Sequence, residues 1–269
     1  MDNSYLSIKE IQKIVFKDLQ EVNNIIIDNI GNEVPLIKDL SKHILASGGK
    51  RIRPMVTLLS SRLCNYSGNN QLYLAACVEF IHTATLLHDD VIDESKMRRG
   101  VATANDIFGN KTSVLVGDFL FSRAFELMVQ YGSKQILEVL SKASSTIAQG
   151  EVLQLTTIND SSTSKELYMK IITNKTASLF SAASKISAIL SEEKDIIQKS
   201  LKIYGQKLGI AFQLVDDALD YAGTSALDKS IGDDFREGKM TLPVIISLEK
   251  SNPEEKSFWK KTIEDLSIS

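Results

Sequence analysis

The stretch Leu86-Leu87-His88-Asp89-Asp90-Val91-Ile92-Asp93 decides how this chain is read, because it has a twin at Gln213-Leu214-Val215-Asp216-Asp217-Ala218-Leu219-Asp220. Each places carboxylates at i, i+1 and i+4 in an otherwise apolar, helix-forming context. On a helix, i and i+4 share a face one turn apart. Carboxylates crowded on one face repel, and a buried set does not stay ionised without a counter-charge. Asp is also a poor helix former, so such a set weakens its helix with no local gain. A single set of this kind is ordinarily a solvated helix end. Two in the same register, each behind several apolar residues, point instead to bound divalent cations. Hard carboxylate oxygens suit Mg²⁺ or Mn²⁺, whereas Zn²⁺ normally recruits His or Cys. Magnesium shares its coordination among a few carboxylates, waters and substrate phosphates, so a substrate carrying a diphosphate is expected.

Outward from these sets, nearly every segment repeats its apolar residues at helical spacing. Residues 8–30 carry Ile8, Ile11, Ile14, Val15, Leu19, Val22 and Ile26 on one stripe and read as one helix, with Ser7 and Glu10 as its capping box. Further helices are predicted near 34–47, 54–66, 70–94, 111–131, 134–156, 164–190 and 192–221, followed by two short ones. Thr163 with Glu166 caps the 164–190 helix in this reading, and Gly205 and Gly209 bend the next. No stretch alternates with period two for long enough to form a strand. The expected fold is all-α: a single domain over 1–269, a bundle of long helices around a central cavity.

Composition bounds the function. The 269 residues are 43% hydrophobic and 24% charged, enough for a sizeable core. A net charge of −3 is too mild to imply a nucleic-acid partner or strong attraction to an anionic membrane. Cys64 and Cys77 form no metal or disulfide pattern and read as core thiols. The first residues lack the basic and apolar regions of a signal peptide, and no apolar run is long enough to span a bilayer. A cytoplasmic protein is expected.

Basic residues supply a phosphate partner for the acidic sets. Gly48-Gly49-Lys50-Arg51-Ile52-Arg53-Pro54 sits at a helix entry, where Lys50 and Arg53 can grip an anion. Arg98 and Arg99 are adjacent and need a nearby anion, either the first acidic set or a ligand. Lys175 and Thr176 lie mid-helix in an apolar stretch, and Lys175 taken alone reads as a snorkelling side chain. Lys229 and Lys239 flank the acidic pair Asp233-Asp234. His82 precedes Asp89 by two turns on the same face. There is no Ser-His-Asp or Cys-His arrangement, no GxGxxG and no Walker loop, so covalent catalysis and nucleotide binding are not supported.

Taken in order, GGKRIRP, EFIHTATLLHDDVID, MRRG, GDFLFSRAF, GEVLQL, NKTASLF, GIAFQLVDDALDY and GDDFREGKMTLP resemble the trans-isoprenyl diphosphate synthase family, in its polyprenyl (octaprenyl-like) branch. The resemblance runs from about Leu36 to Trp259. It implies an all-α fold that dimerises and condenses isopentenyl diphosphate with an allylic diphosphate. Carried over by position, Asp89, Asp93 and Asp216 would be the chief Mg²⁺ ligands. Asp90, Asp217 and Asp220 would support them through waters and neighbouring bonds. Arg98, Lys175, Lys239 and Lys229 would hold the allylic diphosphate. Lys50, Arg53, His82 and Arg99 would hold isopentenyl diphosphate, and Thr176 and Gln213 would line the reacting centre.

The resemblance also implies that Ala84 and Thr85, small residues about one turn before Asp89, leave a product tunnel open. A long product is then expected, with the membrane as its destination and a respiratory quinone as its use. A Phe among Phe119, Phe121 and Phe125 would form a deeper floor. The chain stops soon after Trp259, where family members carry further helices, so loss of the last helices is expected. That keeps open a catalytically impaired homologue acting as a diphosphate-binding or partner subunit. A terpene cyclase is the other alternative, opposed by the all-aspartate second set.

Overall fold

The computed structural model describes residues 6–31, 33–46, 49–98, 100–222 and 232–265. Arg99 and Lys229 lie outside the described residues. The chain folds into helices α1 (Ile8–Ile14), α2 (Phe16–Ile30), α3 (Pro35–Ala46), α4 (Ile52–Leu63) and α5 (Asn70–Ile92). A short hairpin follows, β1 (Met97–Arg98) with β2 (Val101–Ala102), and then α6 (Ala104–Phe108), α7 (Asn110–Tyr131) and α8 (Lys134–Leu155). Next come α9 (Lys165–Ile172), a π-turn (Thr173–Ala177), α10 (Ser178–Leu190) and α11 (Asp195–Ala222). The last described elements are α12 (Asp233–Arg236), α13 (Leu242–Lys250) and α14 (Pro253–Asp265).

The fold class is as expected. α5 is apolar nearly all round, with Leu74, Ala75, Ala76, Cys77, Val78 and Ile81 all at 0% exposure, so it is the bundle's central helix. It packs against α7, α4 and α2, and α10 packs against α11, α4 and α8. Small residues set the closest crossing. A Cβ at Gly205 would strike Ser184 Oγ and the Phe180 carbonyl, and one at Gly209 would come within 2.6 Å of Ala177 Cα. These two glycines therefore admit a neighbouring backbone, and α11 runs through them as one helix.

Four local readings are corrected. The 8–30 helix breaks at Val15, which leaves helical geometry at φ −116 and ψ 21 and is fully buried. The Ser7–Glu10 capping box is present as read. The 164–190 segment is capped by Ser164, whose hydroxyl accepts from the Leu167 amide, because Thr163 is itself buried. That segment also widens into the π-turn, a departure that helical periodicity does not signal. Residues 97–102, where no strand is expected, form a hairpin. It is only two residues long in each strand, turning through Gly100 at φ 74.

Candidate functional site

The two acidic sets lie at the C-terminal ends of α5 and α11 and face one cleft of about 180 Å³. Asp89, Asp93, Asp216 and Asp217 line it, joined by Asp234 from α12. Arg98, Lys175 and Lys239 line it too, so three cations share the cleft with the carboxylates. Thr176 and Gln213 complete the polar wall, while Leu86, Ile171, Ile172 and Met240 supply apolar surface. Asp90 and Asp220 are buried (5% and 7% exposed) and stand behind the cleft lining.

Each cation is held by a carboxylate. Arg98, on β1, donates to Asp90 Oδ1 from Nη2 at 2.6 Å and from Nε at 2.9 Å. The first acidic set therefore supplies an anion for Arg98. Lys175 sits in the π-turn, with Nζ 2.6 Å from Glu151 Oε2, 2.8 Å from Gln154 Oε1 and 3.6 Å from Asp89 Oδ2. It points inward and does not snorkel. The approach of the π-turn to α8 depends on Gly150, where a Cβ would lie 2.6 Å from the Lys175 amide nitrogen. Lys239 Nζ reaches Asp93 Oδ2 at 2.6 Å and Glu237 Oε2 at 2.8 Å.

The second set is organised by neutral donors. Tyr168, on α9, donates to Asp217 Oδ2 at 2.5 Å, and Gln213 Nε2 donates to Asp217 Oδ1 at 2.7 Å. Thr176 donates to Gln213 Oε1 at 2.7 Å, orienting that amide. Asp220 accepts from the Asp234 amide through Oδ2, whereas its buried Oδ1 has no hydrogen-bond partner.

Burial sets the electrostatics. It raises the Asp89 carboxyl above its ordinary value, against the pull of Lys175 and with a further push from Asp93. It raises Glu151 to about 7, with the Asp89 charge adding and Lys175 opposing. Asp217 is raised by burial despite Tyr168 and Gln213, and the Tyr168 hydroxyl is raised by burial and by Asp217. Burial alone would lower Lys239, but Asp93 and Glu237 hold it above the usual ammonium range. A concentration of buried negative charge, partly relieved by cations, suits a metal and a polyanion together. Among the described residues, no three His, Cys, Asp or Glu side chains converge on one point as a complete metal cage. The donor set fits Mg²⁺ nevertheless, since that ion takes one or two carboxylates and fills its octahedron with water and phosphate oxygens.

The residues expected for the second substrate lie apart from this cleft lining. Arg53 Nη1 is 3.1 Å from His82 Nε2, and its guanidinium stands 4.6 Å from the Phe180 ring centroid. Lys50 is exposed, and its carbonyl accepts from Gln12. Arg51, left-handed at φ 49, ends on the buried Glu79 through an ion pair. Ala84 is fully buried in the main core, and Thr85 donates to the His82 carbonyl at 2.8 Å. Gln154, Tyr168 and Asp234 in the wall, and Glu151 behind it on Lys175, are site residues that the sequence pattern did not indicate. Glu151 and Gln154 were within reach, because they fall on one face of α8 inside a quoted motif. Tyr168 gives no such signal.

The family model for polyprenyl synthetase matches residues 34–267. The chain belongs to that family. It is 48% identical over 260 residues to octaprenyl diphosphate synthase of Escherichia coli, spanning 96% of this chain and 80% of that protein. All-trans-nonaprenyl-diphosphate synthase of Rhodobacter capsulatus is 40% identical, over 95% of this chain and 79% of its own. Among solved structures, a Caulobacter crescentus polyprenyl synthase complexed with calcium and isoprenyl diphosphate superposes with a TM-score of 0.93 at 48% identity. It is covered over 80% of its length by 97% of this chain. A decaprenyl diphosphate synthase from Rhodobacter capsulatus gives 0.92 at 47% identity, with 96% and 80% covered. Family members of this kind are prenyltransferases, and the fold that carries the facing aspartates is the family's own. No helix among the described residues is long and apolar enough to cross a membrane.

Proposed function

We propose that this polyprenyl synthase condenses isopentenyl diphosphate with an allylic diphosphate to build a long-chain trans-polyprenyl diphosphate. The observation that carries the reading is the single cleft in which Asp89, Asp93 and Asp216 meet Arg98, Lys175 and Lys239. The chain's similarity to octaprenyl and decaprenyl synthases supports the long product.

In this reading, Asp89, Asp93 and Asp216 hold Mg²⁺, or Mn²⁺, which when bound neutralises the charge that develops on the departing diphosphate. Lys175, Lys239, Arg98 and Lys229 grip the allylic diphosphate. As the allylic C–O bond breaks, its electron pair stays with the diphosphate oxygen. These cations meet that charge, with Arg98, Lys175 and Lys239 each leaving its carboxylate when the anion arrives. Lys50, Arg53, His82 and Arg99 hold isopentenyl diphosphate so that its double bond attacks the allylic cation. The new C–C bond leaves a cation on the former isopentenyl unit. A proton then departs to the released diphosphate, so no protein nucleophile is needed. Thr176 and Gln213 sit at the reacting centre beside Ile171, Ile172 and Leu86, which keep water from the cation.

The enzyme acts in the cytoplasm as a homodimer and delivers its product to the membrane. Exposed apolar side chains on α7 and α8, including Leu115 (68%), Val129 (71%) and Val152 (62%), suit a covered face. Light scattering during gel filtration tests the dimer. Ala84 and Thr85 keep the product long. Incubation with Mg²⁺, labelled isopentenyl diphosphate and farnesyl diphosphate tests the activity. Elongated linear diphosphates are expected. Binding without turnover, or a cyclised hydrocarbon, overturns the proposal.

A further inference from the structure

The segment Gly232–Thr241 brings Asp234, Lys239 and Thr241 to the cleft. Its inner side is tied down by polar bonds. The Gly232 amide donates to the Asp220 carbonyl at 3.0 Å, and the Asp234 amide to Asp220 Oδ2 at 3.3 Å. The Asn159 amide donates to the Gly238 carbonyl at 3.0 Å. The outer side has a different support. Phe235 meets the Trp259 ring edge-to-face, with centroids 5.8 Å apart and planes at 81°. Met240 is buried with Val244 and Ile263, and Tyr221, Leu248, Phe235 and Trp259 pack around them. Trp259 and Ile263 both belong to α14.

A short covalent and hydrogen-bonded path joins this packing to the site. Phe235 is bonded to Asp234, and the Asp234 carbonyl accepts from the Lys239 amide at 2.8 Å. Lys239 then reaches Asp93 with Nζ. Ile263 is 1% exposed and Trp259 half-buried, while their neighbour Phe258 is 68% exposed. α14 therefore meets the body through few apolar anchors, and one of them bears on the substrate segment.

We infer that Trp259 is a positioning residue: it presses α14 onto Phe235 and so fixes where Lys239 presents its ammonium to the allylic diphosphate. This rests on the diphosphate role proposed for Lys239. It makes α14 part of the substrate site without touching substrate. Trp259 is also the chain's single tryptophan, so its emission reports on the surroundings of this one residue.

Two measurements on the full chain test the inference. In the unaltered protein, Trp259 emission is followed while inorganic diphosphate is added with Mg²⁺, and binding is measured in parallel by calorimetry. The emission should change along the calorimetric isotherm, because Lys239 leaves Asp93 for the anion and draws on Phe235. In steady-state kinetics, Trp259→Ala should raise KM for the allylic diphosphate about tenfold with a smaller change in kcat, since it loosens placement and not chemistry. KM for isopentenyl diphosphate should stay within about twofold, Trp259→Phe should restore the allylic KM, and Phe258→Ala should change neither. Emission that stays constant through saturating diphosphate overturns the inference. So does a Trp259→Ala enzyme with unaltered KM values and a reduced kcat, the signature of a smaller folded fraction. An unaltered enzyme that binds diphosphate but makes no polyprenyl product counts against the proposed reaction and leaves the emission test standing.

Discussion

Lys239 and Asp93 lie 2.6 Å apart across the mouth of the cleft, although 146 positions separate them in the chain. Their ion pair ties the segment after the second acidic set to the end of the first. Both side chains are largely shielded, at 12% and 20% exposure. Removing one partner of such a pair leaves the other charge uncompensated. Lys239→Ala should therefore destabilise the protein by about 3 kcal/mol without metal. Millimolar Mg²⁺ should recover part of that loss by giving Asp93 another cation. Thermal unfolding with and without Mg²⁺ checks this. A variant that unfolds at the same temperature as the parent in both buffers contradicts it.

Tyr168 acts on the other acidic set. Its hydroxyl and the Gln213 amide together occupy both oxygens of Asp217. Tyr168→Phe removes one bond while keeping the ring in its buried place. Residues that orient the surroundings of a metal site change metal affinity by about 10- to 100-fold, and Tyr168, acting through Asp217, belongs at the low end of that range. The Mg²⁺ concentration for half-maximal activity should rise about tenfold, with kcat at saturating Mg²⁺ reduced less. A Mg²⁺ titration at fixed substrate decides it, and an unchanged midpoint excludes the role.

Glu151 gives a pH dependence. Its carboxyl is raised by burial, with the Asp89 charge adding to the effect, from an ordinary 4.5 to about 7 in the folded protein. The folded state thus holds the proton more tightly than the unfolded chain. The stabilisation is complete below about 4.5 and is lost as pH rises through about 7. In metal-free buffer, Glu151→Gln should remove this loss. The variant should gain on the parent, by up to about 3 kcal/mol, between pH 5 and pH 8. Urea unfolding at those two pH values measures the difference. Parallel pH profiles for the two proteins contradict it.

Ala84 tests product length. It is fully buried among the main core residues, so a ring placed there has little free space. Ala84→Phe should shorten the polyprenyl product and destabilise the fold by about 2 kcal/mol through overpacking. Reversed-phase separation of the dephosphorylated products gives the lengths. A product distribution identical to the parent's removes Ala84 from chain-length control.

Much of the site was readable before any coordinates. The spacing within 86–93 and 213–220 places each acidic set on one face of a helix, and α5 and α11 carry both sets near their C-terminal ends. Helical periodicity is local, so it survives in the linear chain. The π-turn around Lys175 was not readable, because its cause is Gly150 on another helix, where close approach leaves no room for a side chain. The break at Val15 was hidden for a similar reason. Its apolar side chain continues the stripe, but the buried position it reaches lies off the helical path.

The order of residues along the chain, by itself, determined an all-helical protein with two aspartate-bearing helices, since each rests on contacts within a few turns. Only the tertiary structure decided which cation serves which carboxylate: Arg98 to Asp90, Lys175 to Glu151 and Asp89, Lys239 to Asp93. Those pairings depend on how helix faces meet, as where Gly150 on α8 leaves room for the backbone that carries Lys175.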